Sequence, residues 1–493
     1  MRTGFVDIVI GVTLALLLVF SSCTIKEKAL QTSIRIPAHY KNENDSTTLS
    51  IDSSNQKNVP PIEEWKTFFT DAHLIELINS GLANNFDVQI AYQRVMQTRA
   101  GVQYTKGIRM PNLGINLSAG QRRYGDYTID GVGNYDTQFS PNLNDKQQLP
   151  NPIPDYYAGV FTSWEIDIWG RLKNKKRAAL ARYLAGEQGR NLVVTNLIAE
   201  ISATYYNLMV LDQELQIITE NIKLQDSALE IVVAQKETGK SNELAIELIS
   251  AQVLNAKTLL LEVKQSILIE ENKLNFLLGR YPSPIVRSSF NPDAEISKLP
   301  ETGIPSDMLA NRPDIKAAEY ELRAQRADVK AAKAAFYPSL TLNGNVGYQS
   351  FNAALLFESP ASIAYNVAGG LIIPLINRRT LKADLMLSKA SQREAYLNYE
   401  KTILKSFTEV FQLTQQLENY KQMQELKNEQ VEVLEKSVST SKDLFAYNRA
   451  TYLEIITAQQ NYLRSQIELL DIHYQKTLTN IHLYKALGGG WKR

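Results

Sequence analysis

The chain has 493 residues, with 53 Lys and Arg against 52 Asp and Glu and a single cysteine. A balance so close to neutral lacks the basic excess of a nucleic-acid-binding surface. One cysteine rules out an intramolecular disulfide.

The first 23 residues read as an export signal: Arg2, then thirteen uncharged residues from Ile8 to Phe20, then Ser21-Ser22-Cys23. That apolar run fits a signal peptide and falls short of the roughly 18 residues of a membrane helix. Small residues before a cysteine point to a lipoprotein cleavage site, with Cys23 the lipidated first residue; the other reading is an ordinary secretory signal with a spare thiol. Cleavage before Cys23 leaves 493 − 22 = 471 residues, enough for two or three ordinary domains. No later segment reads as a hydrophobic spanning helix, so entry into a membrane would have to be by strands.

An internal copy organises the rest. "LANNFDVQIAYQRVMQTRAGVQYTKGIRMPNLGIN" from Leu82 aligns without a gap on "LANRPDIKAAEYELRAQRADVKAAKAAFYPSLTLN" from Leu309, with 12 of 35 positions identical. After each copy the pattern turns to alternation. Leu113, Ile115, Leu117 and Ala119 alternate with Asn112, Asn116 and Ser118; Leu340, Leu342, Val346 and Tyr348 alternate with Ser339, Thr341, Asn343 and Asn345. Period two with one apolar face predicts strands. A second strand follows in each half, near 156–168 and near 362–375. The first pair is joined by a long polar loop, the second by a short one.

No proline occurs between Pro154 and Pro282 or after Pro374, and such gaps admit long helices because proline breaks helix interiors. Residues 171–236 and 381–447 each offer about 66 helix-permissive residues, roughly 100 Å if continuous. Apolar positions at helical spacing run through the first, at Leu197, Ile201, Tyr205, Leu208, Leu211, Leu215, Ile218 and Ile222. Each long helix ends in a short polar break followed by a second helical stretch. One break, "ETGKSNE" (237–243), resembles the end of a phosphate-binding loop, but Ala234 stands where the first glycine is needed and a helix precedes it. It reads as a turn.

Strands of this length can cross a bilayer with an apolar face to lipid and a polar face to a lumen; a soluble four-stranded sheet has the same alternation. Four strands are too few to close a barrel, and an open edge is not viable in lipid. A membrane reading therefore requires pooled copies: two chains give eight strands, three give twelve.

Several stretches resemble the TolC-like outer membrane factors, most closely the NodT-type efflux lipoproteins: "WKTFFTDAHLIELINSGLANNFDVQIAYQRV" (65–95), "WEIDIWGRLKNKKRAALA" (164–181), "LNFLLGR" (274–280), "GIPSDMLANRPDIKAAEYELRAQRADVKAAKAAFYPSL" (303–340), "ATYLEIITAQQNYL" (450–463) and "LYKALGGGW" (483–491). The resemblance implies an α+β membrane protein: a homotrimer with a 12-stranded transmembrane β-barrel, four strands per chain, continuous with a periplasmic α-helical barrel and girdled by a mixed equatorial belt. It divides the chain into a removed signal peptide (1–22), a lipidated N-terminal segment (23–72) and two structural repeats. The first repeat (73–300) holds a helix, a β-hairpin at 112–168 and a long helical hairpin at 171–280. The second (301–493) holds a helix at 313–336, a β-hairpin at 338–375 and a long helical hairpin at 380–487. Leu113, Ile115, Leu117, Leu340, Leu342 and Val346 would face outer membrane lipid, and charges at Leu113 and Leu340 would cost about 2–4 kcal/mol each near the midplane.

The resemblance also implies a passive exit duct for small toxic molecules or drugs, docked on a periplasmic adaptor and an inner-membrane pump, proton-driven by preference. The same duct could serve protein secretion with an ATP-driven transporter, and a lipid-anchored coiled-coil spacer without a pore is the reading from another class. In this family the helix turns form the periplasmic tip where the adaptor docks; here they hold Gly239, Lys240 and Ser241, and Asn448, Arg449, Ala450 and Thr451. Gly239 and Asn448 are suited to left-handed helix caps. The pore gate falls on "STSKDLFAYN" (439–448), with Asp443, Leu444 and Phe445 as candidates. Trp164 and Trp169 read as interfacial anchors. No cofactor, metal or nucleic acid is implied. The four histidines form no HExxH pair, no GxSxG occurs, and "DGVGNYD" (130–136) lacks the third glycine of a dinucleotide site.

Overall fold

The computed structural model describes residues 64–239, 241–291, 311–375, 378–447 and 449–491. The export signal, Cys23, Lys240 and Asn448 lie outside them. The first half runs α1 (Trp65–Phe68), α2 (Ala72–Asn84), α3 (Phe86–Gly107), β1 (Asn112–Arg122), α4 (Ile129–Thr137), β2 (Ile153–Ile166), α5 (Arg171–Glu237) and α6 (Glu243–Leu277). The second runs α7 (Pro313–Ala334), β3 (Ser339–Ser350), a short 3-10 turn, β4 (Ile363–Ile372), α8 (Arg378–Ala446) and α9 (Tyr452–Ala486).

The halves repeat one plan. Both α3 and α7 have 22 residues, and their starts differ by 313 − 86 = 227, the offset of the sequence copy. The long helices α5 and α8 have 67 and 69 residues, each roughly 100 Å at the α-helical rise. Their return helices α6 and α9 have 35 residues each. In the first half α3 lies along α5, whereas α7 lies against both α5 and α8; α9 packs on α8 and α5.

The long helix α5 starts directly from the sheet. Asp167 accepts hydrogen bonds from the backbone N–H of Leu172 (3.0 Å) and Lys173 (2.6 Å), capping its first turn. Gly170 takes the left-handed φ of 73° that lets the strand turn into the helix. Arg171 grips Glu165 of β2 through Nε and Nη2. "WEIDIWGR" is thus a strand-to-helix elbow.

Midway along α5, Leu197, Ile201, Tyr205 and Leu208 enter the principal core, joined by Phe68, Phe69, Leu74 and Ile78 from α1, α2 and their connection, Leu274 and Leu278 from the end of α6, and Tyr484 near the end of α9. Each such buried side chain contributes about 1.5–3 kcal/mol. The belt is therefore a knot between α1 and α2, the ends of α6 and α9, and the middle of α5.

Two sequence expectations are corrected. The segment between β1 and β2 is not all loop: Thr128 accepts from Gly131 N–H (3.0 Å) and starts α4, with Asp130 favouring the helix N-terminus. And α6 is, by length and composition, apolar enough to cross a membrane. It forms instead the return arm of a helical hairpin on α5. Its surplus apolar residues, Leu254, Leu261 and Leu268, lie seven apart and exposed in the single chain, as in a helix awaiting a partner.

Candidate channel surfaces and helix tip

The four strands form one antiparallel sheet in the order β1-β2-β3-β4, so β1 and β4 each keep one edge unpaired within the chain. Register decides the faces, because residues directly opposite share one. Leu113 pairs with Thr162, Ile115 with Val160, and Leu117 with Ala158; these continue to Gly344, Val346 and Tyr348, then to Val367, Tyr365 and Ile363. Leu340 and Leu342 stand opposite Ile166 and Trp164 on the same face. All six residues expected to face lipid therefore lie together, and Leu113, Ile115 and Leu117 are 72%, 76% and 76% exposed.

The opposite face is polar and internally bonded. Ser163 donates to Asn343 (2.7 Å), Asn345 to the Tyr157 hydroxyl (3.2 Å) and Gln349 to Asp155 (2.9 Å). Two aromatic side chains on this face lie against glycines. A Cβ on Gly114 would stand 2.6 Å from the Phe161 ring, and one on Gly159 would stand 2.5 Å from the Tyr157 hydroxyl. Glycine thus lets the rings lie along the polar wall.

At the helix end of the sheet the tryptophans act as ties. Trp164 donates its indole N–H to the Arg109 carbonyl (3.0 Å), and Trp169 donates to Pro338 (2.7 Å) while stacking on Tyr337 at 4.8 Å. They join β2 and the turn after it to the segments that follow α3 and α7, a packing role consistent with an amphipathic ring at a boundary.

Three polar knots hold the belt. Tyr205 donates to Asp71 (2.9 Å) and accepts from Ser288 N–H (3.1 Å); burial pushes its hydroxyl pKa up to about 12, so it stays a donor. Arg287 binds Asp212 through two nitrogens (2.5 and 2.7 Å) and Glu271 (2.6 Å). Arg312, within "NRPD", donates to Asp314 (3.0 and 2.8 Å), Glu409 (2.8 Å) and the Ala486 carbonyl (2.9 Å). Burial alone would lower its pKa; Asp314 and Glu409 outweigh that and hold it raised. Sequence reading assigned no polar role to these residues; Tyr205 entered only as an apolar position of the long helix. An arginine just before a Pro-Asp helix start was the visible signal for the last.

The two helix turns are brought to one end. Tyr452 and Ile456 of α9 pack on Val232, Ala245 and Ile249 of α5 and α6. Gly239 has φ 73° and donates to the Lys236 carbonyl (2.9 Å), so it is the left-handed cap expected there. Asn242 starts α6 by accepting from Ala245 N–H (3.0 Å), and Lys236 pairs with Glu243 across the turn. In the second turn Arg449 N–H reaches back to the Leu444 carbonyl (2.8 Å). Thr451 N–H donates to Glu454 (2.6 Å), and the Thr451 hydrogen bonds hold that carboxyl below its ordinary pKa. Ser241 and Ala450 are half-buried, and Gly239, Arg449 and Thr451 exposed.

The three gate candidates separate. Asp443 and Leu444 are exposed, whereas Phe445 turns into a seam among α5, α6, α8 and α9. Among the described residues no cluster of His, Cys, Asp or Glu is arranged to hold a metal ion.

A sheet with one apolar and one polar face, open at both edges and leading into paired helical hairpins, has a counterpart in known proteins. The family model described as outer membrane efflux protein matches residues 77–280 and 304–489. The chain belongs to this family. Among curated relatives it is 28% identical to the probable outer membrane lipoprotein SilC of Salmonella typhimurium, over 92% of this chain and 93% of SilC. It is 29% identical to the cation efflux system protein CusC of Escherichia coli, over 87% and 88%, and 29% identical to the toluene efflux pump outer membrane protein TtgI of Pseudomonas putida, over 86% and 87%. A crystal structure of CusC superposes with a TM-score of 0.81 at 25% identity, covering 95% of this chain and all of that one. The open-state MtrE channel of Neisseria gonorrhoeae gives 0.80 at 23%, covering 96% and 99%.

This outer membrane efflux protein has the fold class of the trimeric channels: four strands per chain of a 12-stranded transmembrane barrel, continuous with an α-helical barrel, in two structural repeats with a belt between. It is an outer membrane exit duct of an efflux system, with a long periplasmic helical extension.

Proposed function

We propose that three copies of this chain, lipid-anchored through Cys23, form a passive duct that takes small toxic ions or molecules from a periplasmic adaptor and a proton-driven inner-membrane pump. The observation that carries it is the sheet register, which segregates apolar from polar side chains yet leaves both edges open. Only closure with other copies satisfies those edges in lipid. The exposed stripes Leu254, Leu261 and Leu268 on α6 and Leu426 and Val433 on α8, each spaced by seven, supply matching helical contacts between copies. Relatives named for cation and toluene efflux favour small cargo over protein secretion. The two repeats are taken as 73–300 and 301–493, the lipid-facing residues as those of the apolar sheet face, and Asp443 and Leu444 as the better-placed gate candidates.

Adaptor docking at Gly239, Lys240, Ser241 and Asn448–Thr451 is tested by photo-crosslinking from a probe at Ser241 in living cells. Capture of the adaptor of a proton-driven pump is expected. Capture of an ATP-driven transporter's adaptor would move the cargo to proteins, and no periplasmic partner at all, with the trimer intact, would refute docking. Separately, Cys23→Ser is expected to abolish fatty-acid labelling; persistent labelling would remove the anchor from Cys23.

A further inference from the structure

Near the tip, all four long helices border a cavity of about 380 Å³. Its walls are largely apolar, with Val232 on α5, Ile249 on α6, Phe445 on α8 and Tyr452 on α9. Gln235, Gln252, Ser227 and Lys442 also line it and are half-buried or exposed, whereas two further amides are buried. Gln225 on α5 is 2% exposed and Gln459 on α9 is 5% exposed, and both line the cavity. The amide nitrogen of Gln225 is taken by Asn221 (2.5 Å), but its Oε1 has no hydrogen-bond partner, and neither has Nε2 of Gln459.

A buried acceptor and a buried donor left bare in one largely apolar cavity are each costly, and such groups call for a reason. The volume falls within the roughly 300–1,000 Å³ of ligand pockets. It is more than twice the ~150 Å³ that holds one benzene. We propose that this seam is a binding site for a small amphipathic molecule: a flat apolar body of about two fused rings carrying a hydroxyl or amide, which donates to Gln225 Oε1 and accepts from Gln459 Nε2. Val232, Ile249, Phe445 and Tyr452 would bury the ring body, and a bound molecule would join α5 to α9. The site is built within one chain and does not depend on docking of an adaptor at the turns.

The probe is 2-naphthol, titrated calorimetrically into the full-length trimer in lipid nanodiscs, with empty nanodiscs subtracted. One saturable site per chain is expected. Ala228→Trp, which fills the cavity from α5, should abolish the binding, and Gln459→Leu should weaken it about tenfold, the loss of one hydrogen bond. Both variants are checked for trimer by gel filtration. Absence of a saturable signal from the wild-type trimer overturns the proposal, as does wild-type affinity in A228W. If A228W fails to assemble, Q459L decides alone, and unchanged affinity there overturns the assignment.

Discussion

Replacing Arg312 by alanine is expected to destabilise the protein by about 3–5 kcal/mol, the cost of breaking a buried ion pair from one side. Arg312 is 8% exposed, and its guanidinium is the shared partner of three elements: Asp314 in the first turn of α7, Glu409 on α8, and the terminal carbonyl of α9 at Ala486. Truncation strands two partly buried carboxylates and a helix-end carbonyl with no replacement donor. Arg312→Lys keeps the charge, but a single ammonium cannot reproduce a fork aimed in three directions, so it should fall between. The comparison is Arg464→Ala, which removes an exposed i,i+4 pair with Glu468 and should cost well under about 1 kcal/mol. Thermal melting of purified trimers measures both. An Arg312→Ala loss no larger than that of Arg464→Ala would show that the belt does not depend on this clamp.

The parts of this molecule written in short-range periodicity were legible in its sequence. Proline-free gaps placed α5 and α8 to within a few residues, since nothing else interrupts a helix so decisively. Period-two alternation placed six residues on one sheet face, and the register agrees because a one-residue slip would have exposed the polar set instead. Contacts between distant residues were not legible. Phe68 stacks on Tyr484 at 4.1 Å although 416 positions separate them (484 − 68), and no local pattern announces such a pair. The terminal "GGGW" was readable only as a motif. In the fold, Gly488 and Gly490 take φ of 93° and 98°, Gly490 N–H donates to the Tyr484 hydroxyl (3.1 Å), and Trp491 donates to the Asn311 carbonyl (3.1 Å) beside Arg312. A side chain at Gly489 would meet the Tyr484 ring at 2.4 Å. The glycines thus fold the segment after α9 back over the belt. Phe445 makes the same point at the tip: its distance along the helix was readable, but which neighbour it faces depends on α5 and α9, which arrive from elsewhere in the chain.

Leu117→Arg is expected to reduce insertion of the trimer through a penalty of about 2–4 kcal/mol per chain. The barrel carries three such penalties, one from each chain. Leu117 is the sixth of the eleven residues of β1, and it lies on the apolar face with Ala158, Tyr348 and Ile363. Midway along a spanning strand is the midplane, where a guanidinium has the farthest to reach for water. Leu113 and Leu340, by contrast, are the second residues of β1 and β3, next to the ends of α3 and α7. A charge there sits at the interface, where the penalty falls to about 0–1 kcal/mol. The midplane estimate drawn from alternation alone therefore belongs to Leu117 and not to those two positions. Ser118→Arg supplies the internal control, one residue along at almost the same depth but on the polar face with Tyr157 and Gln349. Heat-resistant trimer in outer membrane fractions should be strongly depleted for Leu117→Arg, close to wild type for Leu113→Arg, and near wild type for Ser118→Arg. Equal yields of the Leu117 and Ser118 variants would mean that the apolar face does not meet lipid, and the barrel would have to be rebuilt with the opposite face outward.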